Sequence, residues 1–211
     1  MKSGFTLPPV YPLTSVELSN LSHADQVHLL SLGGATLIQL REKQLAPAQF
    51  YEHAKAAVAA AEKNGVRLII NDRADIALAV GAYGVHLGQD DMPPDAARRL
   101  LGDKAVIGYS THNIEQARRA LSLPIDYIAI GPIFKTSSKT DTSPTLGLDG
   151  LRAVRDAVGN AQLVAIGGIS HTNARAVIEA GAGSVAVMSA LLSDPAQISD
   201  ATRTLIHLCQ T

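Results

Sequence analysis

The sequence is poor in cysteine, the residue that forms the disulfides of small secreted proteins and binds metals through sulfur. It has one cysteine, Cys209, and no tryptophan among its 211 residues. A single thiol excludes a disulfide framework and any zinc site built from several cysteines of one chain. Such a chain fits a reducing compartment, and we expect a cytoplasmic location.

Net charge and long apolar runs are also lacking. Eighteen Lys and Arg residues stand against nineteen Asp and Glu residues, a formal net charge of -1. Such a chain has no general attraction for nucleic acid or for an anionic membrane. No run approaches the roughly 18 apolar residues of a membrane span, and the start MKSGFTLPPVYPLTS lacks the apolar stretch of a signal peptide. We expect no nucleic-acid or membrane partner and no signal peptide.

What the chain does have is 46% hydrophobic residues, in short runs that alternate with amphipathic stretches. Most runs are continuous, as in parallel strands that are covered on both faces. The alternation along the whole chain indicates repeated βα units. The eight runs cover residues 10–14, 35–40, 66–70, 84–87, 105–109, 126–130, 163–166 and 184–188.

Eight strands, each followed by a helix, predict a single (β/α)₈ TIM barrel of the α/β class. We expect one domain over residues 1–211, with residues 1–9 as an N-terminal extension. The rival is a doubly wound α/β sheet, which would need a nucleotide-binding motif after an early strand. Neither G-x-G-x-x-G nor G-x-x-x-x-G-K-[ST] is present, so the barrel is favoured.

Two segments between the runs differ in kind. Residues 46–64 place their apolar side chains on one stripe, with Pro47 suited to a first helical turn and Asn64-Gly65 to a stop. Residues 131–150, GPIFKTSSKTDTSPTLGLDG, show no helical periodicity. Long connections in compact domains are often functional, so this segment is predicted to be a functional loop.

The functional site of such a barrel lies at the C-terminal ends of the strands. After the second run come Gln39, Arg41 and Lys43, at alternate positions that share one face of an extended chain. Two cations and an amide on one face make an anion clamp, because Arg forks onto paired oxygens and Lys acts as a point charge. The same residues also fit a solvated charged turn.

Acidic residues follow the next two runs, Asp72 after the third and Asp91 after the fourth. Carboxylates beside a cationic clamp would neutralise it unless a metal lies between them. Oxygen ligands suit Mg²⁺, which keeps waters and leans on substrate phosphates. The competing interpretation is helix capping, because Asp is a preferred N-cap residue and both positions precede predicted helices.

A second candidate anion site follows the last two runs, at Gly167-Gly168 and at Met188-Ser189. Glycine lets backbone amides approach an anion, and the loops after strands seven and eight of barrels commonly bind phosphate. A tight turn alone would need glycine as well. Because this site lies apart from the clamp, the pattern predicts two small phosphorylated substrates.

Other polar residues follow the fifth and sixth runs. The Ser110 hydroxyl could reach a ring nitrogen of a ligand. The loop after the sixth run could close over phosphate oxygens or form an exposed flexible loop. Its hydroxyls and cation are Thr136, Ser137, Ser138 and Lys139.

The histidines and the lone thiol offer no obvious nucleophilic machinery. His86 lies inside the fourth run, where a hydrogen-bonded core histidine is expected rather than a base. His112 follows the fifth run, and a helix-entry role is expected for it. No serine sits in a nucleophile elbow, so a covalent triad has no support.

Taken together, these residues resemble the thiamine phosphate synthase (thiamin-phosphate pyrophosphorylase) family from about residue 11 to residue 191. The segments that carry the resemblance are IQLREK (38–43), INDRADIALAVGAYGVHLGQDDMP (70–93), IGYSTHN (107–113), DYIAIGPIFKTSSK (126–139) and VAIGGI (164–169). That family folds as a barrel and joins hydroxymethylpyrimidine diphosphate to hydroxyethylthiazole phosphate with help from Mg²⁺, releasing diphosphate. The resemblance implies a transferase of thiamine biosynthesis with Mg²⁺ as its cofactor.

The resemblance also implies roles for the matching residues. Asp72 and Asp91 would hold Mg²⁺. The implied catalytic residues are Arg41, Lys43, Ser110 and Lys139. The implied contacts of the pyrimidine diphosphate are Gln39, Leu40, Arg41, Glu42, Lys43, Asn71, Ser110 and Lys139. The implied contacts of the thiazole phosphate are Thr136, Ser137, Ser138, Gly168, Met188 and Ser189.

The chemistry implied by the resemblance is dissociative: the bond to diphosphate breaks first, and the thiazole nitrogen captures the pyrimidinylmethyl cation. Cations and Mg²⁺ would stabilise the charge that grows on the departing diphosphate. Two alternatives stay open. One is a thiazole tautomerase on the same barrel, which would need an acid-base residue and have little use for the clamp, and the other is a phosphate-binding barrel without turnover.

Overall fold

Eight short strands, each matching one predicted run to within about two residues, form the centre of a computed structural model that describes residues 4–136 and 144–210. The strands are β1 (Val10–Pro12), β2 (Leu37–Leu40), β3 (Arg67–Asn71), β4 (Gly84–Leu87), β5 (Val106–Thr111), β6 (Tyr127–Ile130), β7 (Leu163–Ile166) and β8 (Ser184–Val187).

Helices lie between the strands and after the last one. They are α1 (Val16–Ser19), α2 (His23–Leu32), α3 (Pro47–Lys63), α4 (Ala74–Val80), α5 (Pro94–Leu101), α6 (Ile114–Ala120), α7 (Gly147–Val158), α8 (Ala174–Glu179), α9 (Ser189–Leu192) and α10 (Ile198–Gln210), with a 3₁₀ turn at Pro195–Gln197. Within the described ranges, every helix is too short or too polar to span a membrane.

Helix α3 confirms the prediction made for residues 46–64. It begins at Pro47, and its buried residues are Phe50, Ala54, Ala57, Val58 and Ala61. The predicted loop over residues 131–150 is too long, because α7 already begins at Gly147. The first turn of α7 contains two glycines, which have low helix propensity and therefore weaken the helical signal in the sequence. Leu151 and Val154 lie on the buried face of the helix.

The strands pair in parallel around a nearly closed ring. Their order is β1-β8-β7-β6-β5-β4-β3-β2. The remaining gap, between β1 and β2, is bridged where Leu13 pairs with Gln39 and the Thr14 N–H donates to the Gln39 carbonyl at 2.9 Å. The predicted (β/α)₈ barrel is confirmed.

Side chains alternate between two apolar layers, as the two-residue period of a strand requires. In β2, Ile38 and Leu40 pack in the layer between strands and helices, whereas Leu37 packs inside the barrel. The inner layer also includes Phe5 and Leu7 of the predicted N-terminal extension, and the Gln162 side-chain amide bonds the backbone of both residues. These contacts close the end of the barrel at which β7 begins, and the opposite end holds the candidate site.

Candidate active site

Two adjoining cavities open at the C-terminal ends of the strands, where barrel enzymes place their sites. The clamp cavity takes most of its polar lining from β2 to β5 and the segments that follow them, including Gln39, Arg41, Lys43, Asn71, Asp72, His86, Asp91 and Ser110. The glycine cavity is lined by residues after β6, β7 and β8, including Thr136, Gly167, Gly168, Met188 and Ser189. Arg41 and His112 line both cavities, so the two spaces meet at these side chains.

The three residues predicted to share one face do so. Gln39, Arg41 and Lys43 all line the clamp cavity. Gln39 is buried and its amide donates to the Tyr11 hydroxyl at 3.1 Å, while Lys43 extends to Asp72 with Nζ 2.5 Å from Oδ2. The face combines a held amide with two cations, as an anion clamp requires.

The side chains of Leu40 and Glu42 are not brought to this cavity, although both are among the expected contacts of the pyrimidine diphosphate. Leu40 has no solvent exposure and packs in the layer between strands and helices. The Glu42 carboxylate turns back on its own loop and accepts the N–H groups of Lys43 and Gln44, each at 2.7 Å. Alternation along the chain explains both, because they lie between the inward-facing positions.

Asp72 and Asp91 meet at the edge of the clamp cavity, and neither caps a helix. The N-cap residues of α4 and α5 are Arg73 and Pro93, without side-chain cap bonds. Asp91 accepts the Gly88 N–H at 2.6 Å, and Asp72 adopts a left-handed backbone with φ 63°. Left-handed backbone is uncommon outside glycine and concentrates at functional sites.

The electrostatics of this acidic pair suit a cation. Burial, together with the neighbouring Asp72 carboxyl, raises the pKa of Asp91, although the Gly88 N–H and Lys43 act in the opposite direction. A divalent cation would relieve the repulsion between the two carboxylates. Within the described ranges no group of three or more His, Cys, Asp or Glu side chains converges, so a metal here would draw its other ligands from water and substrate.

Asn71 presents an unused donor to the same cavity. It is buried, with 6% of its surface exposed, and its Nδ2 has no hydrogen-bond partner among the described residues. Burying an amide donor without a partner costs about 1–3 kcal/mol. A ligand oxygen or ring nitrogen in the clamp cavity would remove that cost.

A chain of hydrogen bonds forms the floor of the clamp cavity. From the Gln39 amide it passes through Tyr11 and Tyr127, whose hydroxyls are 2.9 Å apart, to His86 and Ser110. His86 lies 3.0 Å from the Tyr127 hydroxyl through Nδ1 and 2.8 Å from the Ser110 hydroxyl through Nε2. The expected hydrogen-bonded core role of His86 is confirmed.

The direction of this chain follows from its first donor. The Gln39 amide donates to the Tyr11 hydroxyl, and the Tyr11 hydroxyl then donates to the Tyr127 hydroxyl. Tyr127 donates to Nδ1 of His86, and Nε2 of His86 donates to the Ser110 oxygen. The opposite direction would leave the Tyr11 hydrogen without an acceptor in the described part of the chain. The favoured direction leaves the Ser110 hydrogen available to a ligand acceptor.

Sequence reasoning missed the two tyrosines of this floor. Tyr11 and Tyr127 are fully buried inside the barrel and meet edge to face, with ring centroids 5.9 Å apart. The available signal was a tyrosine at an inward-facing position of each of two otherwise apolar strands. A buried hydroxyl needs a partner, and only other inward-facing polar groups could supply one.

The glycine cavity is shaped by backbone contact between two loops. Gly167 and Gly168 have left-handed φ values of 105° and 65°, and a Cβ on Gly168 would lie 2.7 Å from the Lys135 carbonyl oxygen. The Phe134 N–H donates to the Gly167 carbonyl at 3.0 Å. Glycine is therefore required here for the turn and for close packing of the loop after β6, which adds to the expected role in anion approach.

The structure assembles only part of the set expected for the thiazole phosphate. Thr136, Gly168, Met188 and Ser189 line the glycine cavity. Ser137, Ser138 and Lys139 lie outside the described residues.

His112 occupies the junction of the two cavities. Asn113 caps α6 by accepting the Gln116 N–H at 2.9 Å, so His112 does stand at a helix entry, as expected. The His112 ring also forms a hydrogen bond with the segment after β6. Nδ1 lies 2.9 Å from the Gly131 carbonyl, which can only accept, so Nδ1 carries a hydrogen and the ring is held across the ends of β5 and β6.

Comparisons with known proteins agree on one family. The family model described as thiamine monophosphate synthase matches residues 10–191. A thiamine-phosphate synthase of Koribacter versatilis is 44% identical over 98% of this chain and 100% of its own length, and one of Albidiferax ferrireducens is 50% identical over 87% and 84%. The solved thiamine phosphate pyrophosphorylase of Pyrococcus furiosus superposes with a TM-score of 0.86 at 33% identity, covering 95% of each chain.

Proposed function

The chain belongs to the thiamine monophosphate synthase family, and we propose that its two cavities hold the two substrates from which thiamine phosphate forms. It is a transferase that shares the activity for which its relatives are named. The clamp cavity would take hydroxymethylpyrimidine diphosphate, and the glycine cavity would take hydroxyethylthiazole phosphate. The observation that supports this assignment is that Arg41 lines both cavities, so the bond-forming atoms would lie beside its positive charge.

The proposed reaction begins with the departure of diphosphate. The carbon-oxygen bond of the pyrimidine substrate breaks, and its electron pair leaves on the diphosphate oxygen. Arg41 and Lys43 stabilise the charge that grows there, and Lys139, from outside the described residues, would add to them. The thiazole nitrogen then donates its lone pair to the cationic carbon, so the step requires no general base.

The floor of the clamp cavity would orient the pyrimidine. The Ser110 hydrogen could point at a ring nitrogen, and Nδ2 of Asn71, which has no hydrogen-bond partner in the described part of the chain, would supply a second donor. Gln39 shares the cavity but is held by Tyr11. Held donors of this kind place the reacting carbon without reorganisation during the reaction.

Asp72 and Asp91 would hold Mg²⁺ beside the diphosphate. Bound there, the ion would supply Lewis-acid stabilisation of the diphosphate oxygens. The raised pKa of Asp91 next to Asp72 supports this, because two like charges that repel each other gain from an intervening cation. The ion pair between Lys43 and Asp72 joins the clamp to the proposed metal ligands, so the charges of the two groups would act on each other.

The thiazole phosphate would lie against Gly168, Met188 and Ser189, with Thr136 of the facing loop. Ser137 and Ser138 complete the proposed set from outside the described residues. Gly167 and Gly168 leave room for phosphate oxygens near the backbone because they carry no side chains.

Further parts of the proposal concern the whole chain. One domain over residues 1–211 is supported by the ring of strands and by the packing of Phe5 and Leu7 inside it. A cytoplasmic location is supported by the single thiol.

One assay tests the central proposal. The protein is incubated with both substrates and Mg²⁺, and diphosphate and thiamine phosphate are measured over time. Equal amounts of the two products are expected. Release of neither would reject the synthase, and migration of a proton within the thiazole substrate without release of diphosphate would favour the tautomerase.

A further inference from the structure

A second layer of residues lies behind the clamp and forms hydrogen bonds with its backbone. The clamp loop, residues 41–44, carries Arg41 and Lys43 at the cavity. Behind it stand Thr14, His23 and Glu42, none of which lines either cavity. Their hydrogen bonds run from one end of the clamp loop to the other.

The contacts of Glu42 fold the loop on itself. Oε1 accepts the N–H groups of Lys43 and Gln44, both at 2.7 Å, and Oε2 lies 3.5 Å from Nε2 of His23. Partial burial by itself raises the pKa of Glu42, but the bonds from Gln44, Lys43 and His23 together bring it below its usual value. Glu42 is therefore ionised at neutral pH, and an ionised carboxylate is a strong acceptor for backbone N–H groups.

The contacts of Thr14 hold the other end. Its hydroxyl lies 2.7 Å from Nδ1 of His23 and accepts the Arg41 N–H at 3.3 Å. The backbone N–H of Thr14 donates to Gln39, so the same residue closes the barrel beside the clamp.

One arrangement of hydrogens satisfies the whole circuit. A carboxylate only accepts, so Nε2 of His23 donates to Glu42. Burial lowers the pKa of His23 despite the neighbouring carboxylate, so the ring is neutral at pH 7 and Nδ1 carries a lone pair. The Thr14 hydroxyl then donates to Nδ1 and keeps a lone pair for the Arg41 N–H. Every donor in the circuit has one acceptor.

We propose that Thr14, His23 and Glu42 are positioning residues that fix the backbone of the clamp loop, so that Arg41 and Lys43 are held ready for the leaving diphosphate. This inference rests on the proposed function of the clamp. Misplacing a charge-stabilising group by about 1 Å can cost up to about 100-fold in rate. The three residues act on the reaction only through the groups they hold.

The first test compares Glu42→Ala with Glu42→Gln. The alanine variant loses both loop bonds, so the single-turnover rate should fall about 10- to 100-fold, whereas the KM of the thiazole substrate should stay within about twofold. The glutamine variant should recover part of the rate, because its amide oxygen still accepts from Lys43 and Gln44 whereas its amide nitrogen can no longer accept the His23 N–H. An unchanged rate in Glu42→Ala would overturn the proposal.

Two further variants guard against simple unfolding. Thr14→Val keeps the shape of the side chain and removes the hydroxyl, so it should slow turnover several-fold with an unchanged circular dichroism spectrum. His28→Asn is the matched control, because His28 lies on the same helix as His23, is exposed and has its Nδ1 3.1 Å from the Asn64 side-chain oxygen, away from the clamp loop. It should leave the rate unchanged. Should Glu42→Ala fail to fold, Thr14→Val carries the test, and a full rate in Thr14→Val would reject the proposal.

A double-mutant cycle separates positioning from a direct role. In a background that carries Arg41→Met and Lys43→Met, adding Glu42→Ala should cost less than about twofold, since residues that act through one another are not additive. An undiminished loss in that background would show that Glu42 acts independently of the clamp.

Amide exchange distinguishes failure of this inference from failure of the proposed function. Glu42→Ala should speed hydrogen exchange of the Lys43 and Gln44 N–H groups while core strands keep their protection. If the wild-type protein forms no thiamine phosphate, the proposed function fails, and exchange still tests the positioning. Unchanged exchange at both residues would refute the positioning whatever the activity.

Discussion

The hydroxyl of Tyr127 lies 3.0 Å from Nδ1 of His86, and the His86 ring stacks on the same tyrosine with centroids 5.5 Å apart. This pair links the apolar interior of the barrel to the polar floor of the clamp cavity. His86 is also hydrogen-bonded to Ser110, which lines the clamp cavity at the proposed pyrimidine site. The orientation of the Ser110 hydroxyl thus depends, through His86, on the buried hydroxyl of Tyr127.

Replacing Tyr127 with phenylalanine should therefore affect both stability and substrate binding. The change leaves Tyr11 and His86 without their shared partner, so unfolding free energy should fall by about 1–3 kcal/mol. The KM of the pyrimidine substrate should rise while that of the thiazole substrate stays the same. Tyr83→Phe is the control, because the Tyr83 hydroxyl contacts Arg67 and lies outside both cavities. Equal effects of the two variants on KM would contradict the role of the floor.

Arg41→Met tests whether the clamp takes part in bond breaking. The change removes the forked donors but keeps much of the stem, so the single-turnover rate should fall roughly 100-fold or more. Arg73→Met, which removes an exposed ion pair with Asp75, serves as the control. A change in substrate dissociation constant with an untouched single-turnover rate would make the clamp a docking site only.

Asp91→Asn tests the proposed metal site. The amide oxygen still accepts the Gly88 N–H, so the fold should survive, but loss of one carboxylate should weaken Mg²⁺ binding and cut turnover by orders of magnitude. Calorimetric titration with Mg²⁺ in the presence of diphosphate measures the affinity. Asp95→Asn, in the first turn of α5, is the control. Full activity of Asp91→Asn with a chelator present would reject the metal role.

Gly168→Ala tests the loop contact of the glycine cavity. The new methyl group meets Lys135 and Phe134 and sits on a left-handed backbone, so the thiazole KM should rise well above any change for the pyrimidine substrate. Gly65→Ala is a matched control, with φ 66° and open space around the added Cβ. It should cost about 1–2 kcal/mol of stability and leave both KM values alone. Similar KM changes for the two substrates in Gly168→Ala would remove the two-cavity assignment.

The lone thiol should be inert in the folded protein. Burial raises the pKa of Cys209 to about 11, so the thiolate is suppressed until the pH approaches that value. At pH 8, alkylation should be at least about 100-fold slower than in denaturant, where the thiol titrates near 8.5, and the rate should climb as the pH rises toward the raised pKa. Iodoacetamide labelling followed by mass spectrometry measures this. Equally fast labelling of the folded and the denatured protein would contradict the burial.

The barrel and most of the clamp cavity could be predicted from the sequence because both depend on local periodicity. Continuous apolar runs specify parallel strands, and alternate positions specify which side chains share a face. That is why Gln39, Arg41 and Lys43 converge as expected. Residues at the C-terminal end of a strand or directly after it lie at one end of the barrel, which brought Ser110 and Asp72 to the same cavity.

Only the tertiary structure decided which groups pair across the barrel. The meeting of Tyr11 with Tyr127 joins strands that are far apart in sequence, and no local pattern encodes it. The roles of Glu42 and Gly168 depend likewise on neighbours: Glu42 turns to its own loop, and Gly168 faces the backbone at Lys135. Periodicity determines the direction in which a side chain points, whereas its partner is set by closure of the ring, which a single strand cannot specify.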